Sequence, residues 1–359
     1  MNHRRKNSRL WARLRVLCCS GLDPLSLAPD AIALVRKLIP HAGATLFLTD
    51  GQGVPASTYQ DTLFDSVRAL CAEEEIASDR FNPIGLDGAG VMRRGTPKLS
   101  ALDGHLPGYF DSLTYQYIVC GAGQRHVLNV RLEAGGQVAG LMSLYREPGA
   151  GFGPQEAEDL ARVGLYLEHA LDGAPSAPGG EDKGEEAIVV ARRDGSVVLA
   201  SALARVLLGE LARLALVPPR AGRLPAPCAQ VLDFLTNDAA HPARMPVARV
   251  AAPGGVIELR AQWLDPAGGD EGALIGLSLR RVEPLALRVW RRLDGVVLSP
   301  QQTEVAFWMG VGGGRAAARA RMGLSEAVLR DCVKAIYDKF GCASESDLAQ
   351  RLRGAAMAA

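Results

Sequence analysis

Hydrophobic and polar positions in the first half of the chain alternate in a way that predicts strands enclosed by helices. Two predicted strands flank the glycine pair Gly135-Gly136, which is typical of a tight β-hairpin. A second turn is predicted at Asp50-Gly51. The other predicted elements are helices over 29–39, 61–75 and 154–171, a strand at 44–50 and an irregular glycine-rich section over 83–108.

A second group of strands is predicted after residue 186. A strand, a turn at Asp194-Gly195, another strand and a helix follow one another up to residue 211. Three more strands lie between 246 and 284, and the first two are joined at Gly254-Gly255. In the middle strand Ile257, Leu259 and Ala261 alternate with polar neighbours, which indicates one buried face.

Between these groups, the segment 173–186 is rich in glycine, proline and acidic residues and has no apolar period, so it is predicted to be a flexible linker. A length of 359 residues suits two or three domains. Hydrophobic content of 48% and charged content of 22% are typical of globular proteins. The chain is therefore predicted to be an α+β multidomain protein.

The charge and cysteine content set limits on function. The 40 Lys and Arg residues nearly balance 39 Asp and Glu residues, so no overall field points to nucleic acid or membrane. Seven scattered cysteines indicate reduced thiols and a cytoplasmic location. No apolar stretch is long enough to span a membrane. Arg9, Arg13 and Arg15 interrupt a would-be signal peptide, so we expect an amphipathic N-terminal helix with a solvated basic face.

The C-terminal segment 298–352 has a helical apolar period and predicts four short helices. Ser299 is a candidate N-cap, and Gln302 completes a capping box with it. Gly323 is expected to end the second helix and Ser325 to cap the third. The third helix should bury Leu329, Val333, Ile336 and Phe340 and leave Ala327, Arg330, Lys334 and Asp338 outside.

This segment resembles the DNA-binding domain of LuxR-type (LuxR/NarL) transcription regulators, without a gap. The family's opening, turn and third helix are matched at fixed spacing. The residues that stand at the family's motif positions are Leu298, Ser299, Pro300, Glu304 and Val305; Met322, Gly323, Leu324 and Ser325; Leu329, Arg330, Cys332, Ile336, Tyr337, Lys339, Phe340 and Gly341; and Ser344, Glu345, Asp347 and Leu348.

The resemblance implies a bacterial transcription regulator, not an enzyme, whose homodimer binds a double-stranded DNA operator and, if it activates, RNA polymerase. Arg321 and Ser325 would hold phosphates, while Arg330 and Lys334 would approach bases or phosphates. The implied DNA-binding residues are Arg321, Ser325, Ala327, Val328, Arg330, Asp331 and Lys334.

Some positions depart from the family pattern. Ala327-Val328 replaces a common Lys-Thr pair, Cys332 replaces a His, and Asp331 adds an anionic group. The run Gly312 to Gly314 would cost about 1 kcal/mol per glycine within a helix. These departures keep open an alternative, a sensor or adaptor that acts through protein contacts and no longer binds DNA.

The preceding segments resemble sensory domains by their order of elements. The first is similar to a GAF domain and the second to a PAS domain. A connecting helix around 284–293 carries Trp290, and we expect it to pack on the second sheet and couple sensing to DNA binding. The predicted organisation is a GAF-like domain at 1–172, a linker at 173–186, a PAS-like domain at 187–283, a connecting helix at 284–297 and a LuxR-type domain at 298–353.

No catalytic or metal-binding motif is present in the sequence, and no cofactor is predicted. An unidentified small-molecule ligand is possible for a sensory domain. Tyr115, Tyr117 and Cys120 are assigned to one strand, where their shared face would form either a cavity wall or plain core. His126, at the start of the next strand, is expected to be a hydrogen-bonded core residue rather than a pocket residue.

Overall fold

The computed structural model describes residues 2–49, 55–60, 98–101, 109–112, 114–173, 186–215, 219–237, 245–264 and 274–354. The helix predicted over 61–75, the turn at Asp50-Gly51, most of the irregular section over 83–108 and the interior of the linker lie outside these residues. The elements below are numbered within the described part of the chain.

The first unit is an antiparallel five-stranded sheet with strand order β2-β1-β5-β4-β3. Its elements are α1 (Asn2–Cys18), α2 (Pro24–Leu38), β1 (Gly43–Thr49), β2 (Pro55–Gln60), β3 (Leu99–Ala101), β4 (His126–Ala134), β5 (Gln137–Arg146) and α3 (Pro154–Asp172). The predicted hairpin joins β4 to β5, where Gly135 and Gly136 have φ of 56° and 74°. Glycine adopts these left-handed angles without steric cost, which explains why the pair marks the turn.

One face of this first sheet is covered by helices. Leu128, Val130 and Leu132 of β4 point toward α3, whose Leu160 and Val163 are fully buried. A Cβ atom at Gly164 of α3 would lie 2.8 Å from Val130 Cγ2. Any side chain at position 164 would therefore clash with Val130, and glycine allows α3 to lie close against β4.

The second unit is another antiparallel five-stranded sheet, with order β7-β6-β10-β9-β8. Its elements are β6 (Glu186–Arg192), β7 (Val197–Ala200), α4 (Ala202–Leu214), α5 (Ala226–Asn237), β8 (Val247–Ala252), β9 (Gly255–Leu264) and β10 (Leu274–Val282). Ile257, Leu259 and Ala261 are fully buried, which confirms the predicted face of the middle strand. In chain order both sheets have the arrangement second, first, fifth, fourth, third. Together with the helices they confirm the α+β class.

The C-terminal unit is helical. It consists of α6 (Leu285–Arg292), a 3-10 turn (Leu293–Gly295), α7 (Pro300–Trp308), a π-helical turn (Met309–Gly313), α8 (Gly314–Met322), α9 (Glu326–Phe340) and α10 (Glu345–Arg353). The connecting helix α6 packs mainly on α10, the π-helical turn and α1. The expectation that it packs on the second sheet was wrong, because its apolar residues face these helices.

The N-terminal helix α1 packs against the C-terminal unit as well as α3. Trp290 Nε1 donates a hydrogen bond to the Arg13 carbonyl at 3.0 Å, and the Arg13 guanidinium lies 4.3 Å from the Trp290 ring centre. Arg13 also forms an ion pair with Asp294 at 3.1 Å, and Arg15 pairs with Glu304. The expected solvated basic face is therefore wrong for Arg13, whose side chain is only 12% exposed, whereas Arg15 pairs with Glu304 and stays 49% exposed.

A second set of contacts joins α2 to the second sheet. Ser26 Oγ donates a hydrogen bond to the Gly255 carbonyl at 2.5 Å, and Gly254 N donates to the Ser26 carbonyl at 3.0 Å. Arg291 of α6 reaches Asp30 at 2.7 Å. Helix α2 thus contacts the second sheet and α6, while α1 contacts the C-terminal helices.

We predict that Trp290→Ala lowers the free energy of unfolding by about 3–5 kcal/mol, because it removes a buried ring and leaves a cavity. Trp290→Phe keeps an aromatic ring over Arg13 and should cost closer to about 1 kcal/mol for the lost hydrogen bond. Thermal denaturation of the full chain measures both. A Trp290→Ala melting temperature equal to the wild type would contradict the stabilising role.

Candidate nucleic-acid interface

The turn between α8 and α9 is built from local backbone chemistry. Gly323 has a left-handed φ of 61° and closes α8 by donating its N–H to the Arg319 carbonyl. The Ser325 side chain then accepts a hydrogen bond from Val328 N at 3.4 Å and starts α9. Both assignments made from the sequence are confirmed. The two caps fix the direction in which α9 leaves the turn.

The first helix of this unit is held in the same way. Ser299 accepts a hydrogen bond from Gln302 N at 3.2 Å, and Gln302 Oε1 accepts from Ser299 N at 3.0 Å. This reciprocal pair is the capping box expected from the sequence. Helix α7 then packs against α9 and supports it from behind.

Helix α9 has one buried and one exposed face. Leu329, Val333 and Ile336 are buried, as expected, while Phe340 is half-buried. The seven residues implied in DNA binding are all exposed: Arg321, Ser325, Ala327, Val328, Arg330, Asp331 and Lys334. The unit therefore presents a capped helix whose outer face is available to a major groove.

The cations near this face fall into two groups. Arg319 is paired with Glu326 at 3.0 Å, and the Arg321 guanidinium stacks 4.0 Å from the Trp308 ring. Arg330 and Lys334 have no hydrogen-bond or ion-pair partner among the residues that the structure describes. These two side chains can therefore turn toward a phosphate or a base edge without first breaking an ion pair.

Cys332 lies on the buried face of α9, although its position departs from the family pattern. Its side chain contacts Gln301, with Sγ 3.6 Å from Gln301 Oε1. Burial raises the pKa of the Cys332 thiol, and the neighbouring carboxylate of Asp331 raises it further. Cys332 is thus a protonated packing residue, and the His-to-Cys difference does not remove a group from the exposed face.

The glycine run does not weaken a continuous helix. Gly312 has φ of 106° and Gly314 has φ of 63°, so the chain bends between α7 and α8. The predicted loss of about 1 kcal/mol per glycine was therefore wrong, because these glycines form a bend and do not lie inside a continuous helix. At Gly310 a Cβ atom would lie 2.7 Å from Val289 Cγ1 and 2.9 Å from Leu352 Cδ1. Close approach of α6 and α10 therefore requires glycine there.

A second candidate site lies on the first sheet, on the face opposite α3. Polar side chains are buried there: Thr45, Thr58, Asn129, Arg131 and Ser143. The strand register places Asn129 beside Ser143 and Ser143 beside Thr45, so these residues share one face. Thr45 Oγ1 lies 3.2 Å from Tyr145 Oη, within hydrogen-bond distance.

Two oxygens on this polar face have no hydrogen-bond partner among the residues that the structure describes. Thr58 Oγ1 and Asn129 Oδ1 are buried and accept or donate no hydrogen bond within the described part of the chain. A buried polar group without a partner costs about 1–3 kcal/mol. Tyr109 and Tyr115 pack nearby with ring centres 5.1 Å apart. The face thus combines unsatisfied polar atoms with aromatic surface, which is the composition of a small-molecule site.

The strand assigned to Tyr115, Tyr117 and Cys120 was wrong. Residues Thr114–Val119 form a π-helical turn, in which Tyr115 is buried and Tyr117 is exposed, and Cys120 directly after it is also exposed. Helical rotation separates side chains that strand alternation would have aligned. His126 is buried, and its Nε2 lies 3.0 Å from the Gly149 carbonyl, as expected of a hydrogen-bonded residue.

Sequence reasoning missed the polar face and the contacts of α1. The signal for the polar face was present, because Thr45, Asn129 and Ser143 interrupt otherwise apolar strands. Contacts such as Arg13 with Trp290 join residues far apart in the chain and leave no local pattern. Among the described residues no group of three or more His, Cys, Asp or Glu could hold a metal ion, and no helix is long and apolar enough to cross a membrane.

No protein-family model and no curated protein matches the chain. A VqmA–ligand–DNA complex of Vibrio cholera is 15% identical, covering 46% of this chain and 82% of that chain, with a TM-score of 0.28. A Vibrio cholerae VqmA dimer, described as a LuxR-type receptor, is 17% identical over 46% and 81%, with a TM-score of 0.20. The E. coli DhaR(N)–DhaL complex is 11% identical over 77% and 90%, with a TM-score of 0.25. TM-scores this low establish no shared fold or function.

We predict that Gly323→Ala destabilises the protein by about 1–2 kcal/mol, because alanine is strained in the left-handed conformation. Gly209→Ala in α4 is the matched control, since no atom lies within 4 Å of its added Cβ and its φ is not positive. That control should stabilise by up to about 1 kcal/mol. Urea denaturation measures both, and equal effects of the two substitutions would contradict the cap assignment.

Proposed function

We propose that this chain is a bacterial transcription regulator in which two sensory units control a C-terminal DNA-binding helix-turn-helix. The observation that carries the proposal is the exposed face of α9, where Arg330 and Lys334 stand unpaired among the described residues on a helix fixed by the Gly323 and Ser325 caps. The LuxR-like spacing of the same residues supports it. The protein acts by binding rather than by catalysis, in the cytoplasm.

The exposed side chains suit the chemistry of a major groove. Arg330 can donate two hydrogen bonds to a guanine, and Asp331 can accept one from a cytosine amino group. Ala327 and Val328 offer apolar contact to a thymine methyl group. Arg321 and the N-terminus of α9 at Ser325 suit backbone phosphates. Such a mixture of polar and apolar side chains suits contacts with base edges and adds little non-specific attraction to DNA phosphates.

The two sheets supply the sensory units in this proposal. Both sheets have the strand order second, first, fifth, fourth, third. In the second unit, helices α4 and α5 lie between the second and third strands, and this arrangement supports the PAS-like assignment. The terminal helix α3, packed on β4, supports the GAF-like assignment of the first unit. A homodimer would place two α9 helices in successive major grooves, and an activator would also contact RNA polymerase.

A sensor or adaptor without DNA binding is the alternative function. Ala327, Val328 and Asp331 support it, because Ala327-Val328 replaces a Lys-Thr pair and so removes a cation and a hydroxyl, while Asp331 adds an anion to the exposed face. Binding of the full chain to pooled genomic fragments at several salt concentrations, followed by sequencing, separates the two functions. A regulator enriches particular promoter fragments and binds them less tightly as salt increases. An adaptor enriches none.

We predict that Arg330→Ala weakens binding to an enriched fragment by about 1–3 kcal/mol and relaxes its sequence preference at one position. The reason is the loss of a base-reading side chain. Arg205→Ala is the control, since Arg205 is an exposed cation on α4, far from the helix-turn-helix in sequence. Fluorescence anisotropy with labelled DNA measures both variants. Unchanged affinity and selectivity of Arg330→Ala would remove Arg330 from the reading role.

The polar face of the first sheet supports a sensory role. Thr58 Oγ1 and Asn129 Oδ1 have no hydrogen-bond partner among the described residues, which reduces the stability of the protein alone, and a bound molecule that hydrogen-bonds to them would recover that energy. A small polar molecule with a ring that packs on Tyr109 or Tyr115 has suitable chemistry. We assign the ligand site of the regulator to this face.

Thr58→Val is therefore expected to stabilise the protein by about 1 kcal/mol, because it replaces an unpartnered buried hydroxyl with a methyl group of similar size. Thr45→Val is the matched control on the same sheet face. Its hydroxyl lies 3.2 Å from Tyr145 Oη, so that substitution should destabilise by about 1 kcal/mol. Melting temperatures distinguish them. Loss of stability in Thr58→Val would argue against a vacant hydrogen-bonding position.

A further inference from the structure

Exposed apolar residues are concentrated on the outer face of the second sheet. Ile188 is 58% exposed, Leu199 66%, Met245 59% and Val247 54%. The inner face of this sheet is occupied by the core beneath α4 and α5, so these side chains contribute nothing to it. An apolar cluster of this kind on a single sheet face marks an interaction surface.

The same face contains a groove of about 400 Å³. Its floor is formed by Gly276 and Ser278 of β10 and Gln262 of β9, and the Leu264 side chain lies beside Gly276, 3.2 Å from the position that a Cβ atom would take there. Ile188 lines one side and Met245 the other. We define the sheet groove as this floor and its two apolar sides. The ridge beside it is formed by Ile188, Val190 and Leu199 on β6 and β7.

The strand register shows that large and small residues lie next to one another across the sheet. Ile188 pairs with Ser278, and Val190 pairs with Gly276 on one side and Leu199 on the other. Paired residues of adjacent strands point to the same face. The part of the ridge on β6 therefore lies one strand spacing, about 4.8 Å, from the floor over β10, and the part on β7 lies one strand further away.

This spacing suits a second copy of the same chain. A two-fold axis parallel to the strands, between β6 and β10, would place the ridge of each copy over the floor of the other. Val190 would then face Gly276 and the adjoining Leu264 side chain of the second copy, and Ile188 would face Ser278. In both directions Ile188 meets the small Ser278 and Val190 meets the apolar surface of Leu264, which is the self-complementarity that a two-fold interface requires.

Charge complementarity favours the same arrangement. Glu186 begins β6 and pairs with Arg280 of β10 in the register. The two-fold axis described above would place Glu186 of one copy over Arg280 of the other. Arg280 lies 3.6 Å from Glu258, which Arg260 contacts at 2.7 Å and Arg249 at 3.2 Å. Three arginines around one carboxylate leave net positive charge for Glu186 of the second copy.

We propose that the sheet groove and its adjacent ridge are the homodimer interface of this protein, with two second-unit sheets packed face to face about a two-fold axis. The occupant of each groove is the ridge of a second copy, formed by its Ile188, Val190 and Leu199 side chains. Aligned packing of two sheets buries both outer faces together. The proposal rests on the proposed function only because that function needs a dimer: an operator with two half-sites is bound by two helix-turn-helix units.

Sedimentation velocity of the full chain without DNA, over a series of concentrations, tests this interface. We expect a dimer for the wild type and at least a tenfold weaker association for Ile188→Arg. Leu165→Arg is the matched control, because Leu165 is 59% exposed on α3, outside the second unit, and should leave the dimer unchanged. Leu199→Arg provides a second interface variant if Ile188→Arg does not fold, as judged by its melting temperature.

Two results would overturn the proposal. One is a wild-type chain that stays monomeric at tens of micromolar. The other is a folded Ile188→Arg or Leu199→Arg variant that associates as tightly as the wild type. DNA binding separates this from the proposed function. A dimer that dissociates in Ile188→Arg but enriches no genomic fragment would keep the interface and reject the regulator.

Discussion

The stack of Arg13 on Trp290 helps to hold the C-terminal helices against the first helix of the chain. Arg13 belongs to the first helix of the chain and Trp290 to α6, so their contact spans most of the sequence. Burial lowers the pKa of Arg13, while the carboxylate of Asp294 opposes that effect. A guanidinium in such a position needs both the ring and the carboxylate, because an unpaired buried cation is costly. These contacts restrict the position of the Arg13 guanidinium, and they hold α1 in one position against α6.

This arrangement makes the C-terminal unit part of a larger assembly of helices. Trp290 is fixed by α1, while Arg291 of the same helix pairs with Asp30 at 2.7 Å and with Glu283 at 2.5 Å. Hydrogen bonds and ion pairs to Asp30 raise the pKa of Arg291 despite its partial burial. Neighbouring residues of α6 therefore contact α1 and α2 separately. The helix-turn-helix is held by side-chain contacts in addition to its covalent connection.

Local chemistry explains which features the sequence could predict. The Ser299 and Ser325 caps, the Gly323 end and the Gly135-Gly136 hairpin depend on residues within four positions of each other, and all are found where expected. The orientation of α9 follows from its apolar period, so the exposed candidate residues were predictable as well. Cys332 was misjudged because family comparison of one position does not show on which side of a helix the side chain lies.

Tertiary packing explains what the sequence could not predict. The segment Thr114–Val119 has strand-forming residues, yet it forms a π-helical turn with Tyr115 buried against Tyr109. Aromatic packing outweighs the modest intrinsic preference of such residues for strands. In the same way, nothing near Arg13 in the sequence indicates Trp290 as its partner. The assignment of α6 to the second sheet failed for this reason.

The packing also connects the first sheet to α9 through a continuous series of contacts. Strand β4 carries Asn129 on its polar face and Val130 on the opposite face, where Gly164 of α3 approaches within van der Waals contact. Helix α3 packs on α1, and α1 packs on α7 behind α9. A ligand changes the populations of two arrangements only if it binds one of them better. Hydrogen bonds to Asn129 would satisfy that condition if they draw β4 toward the ligand and away from α3. Because Gly164 leaves no side chain between helix and strand, a displacement of β4 alters the contact directly instead of being absorbed by a flexible side chain.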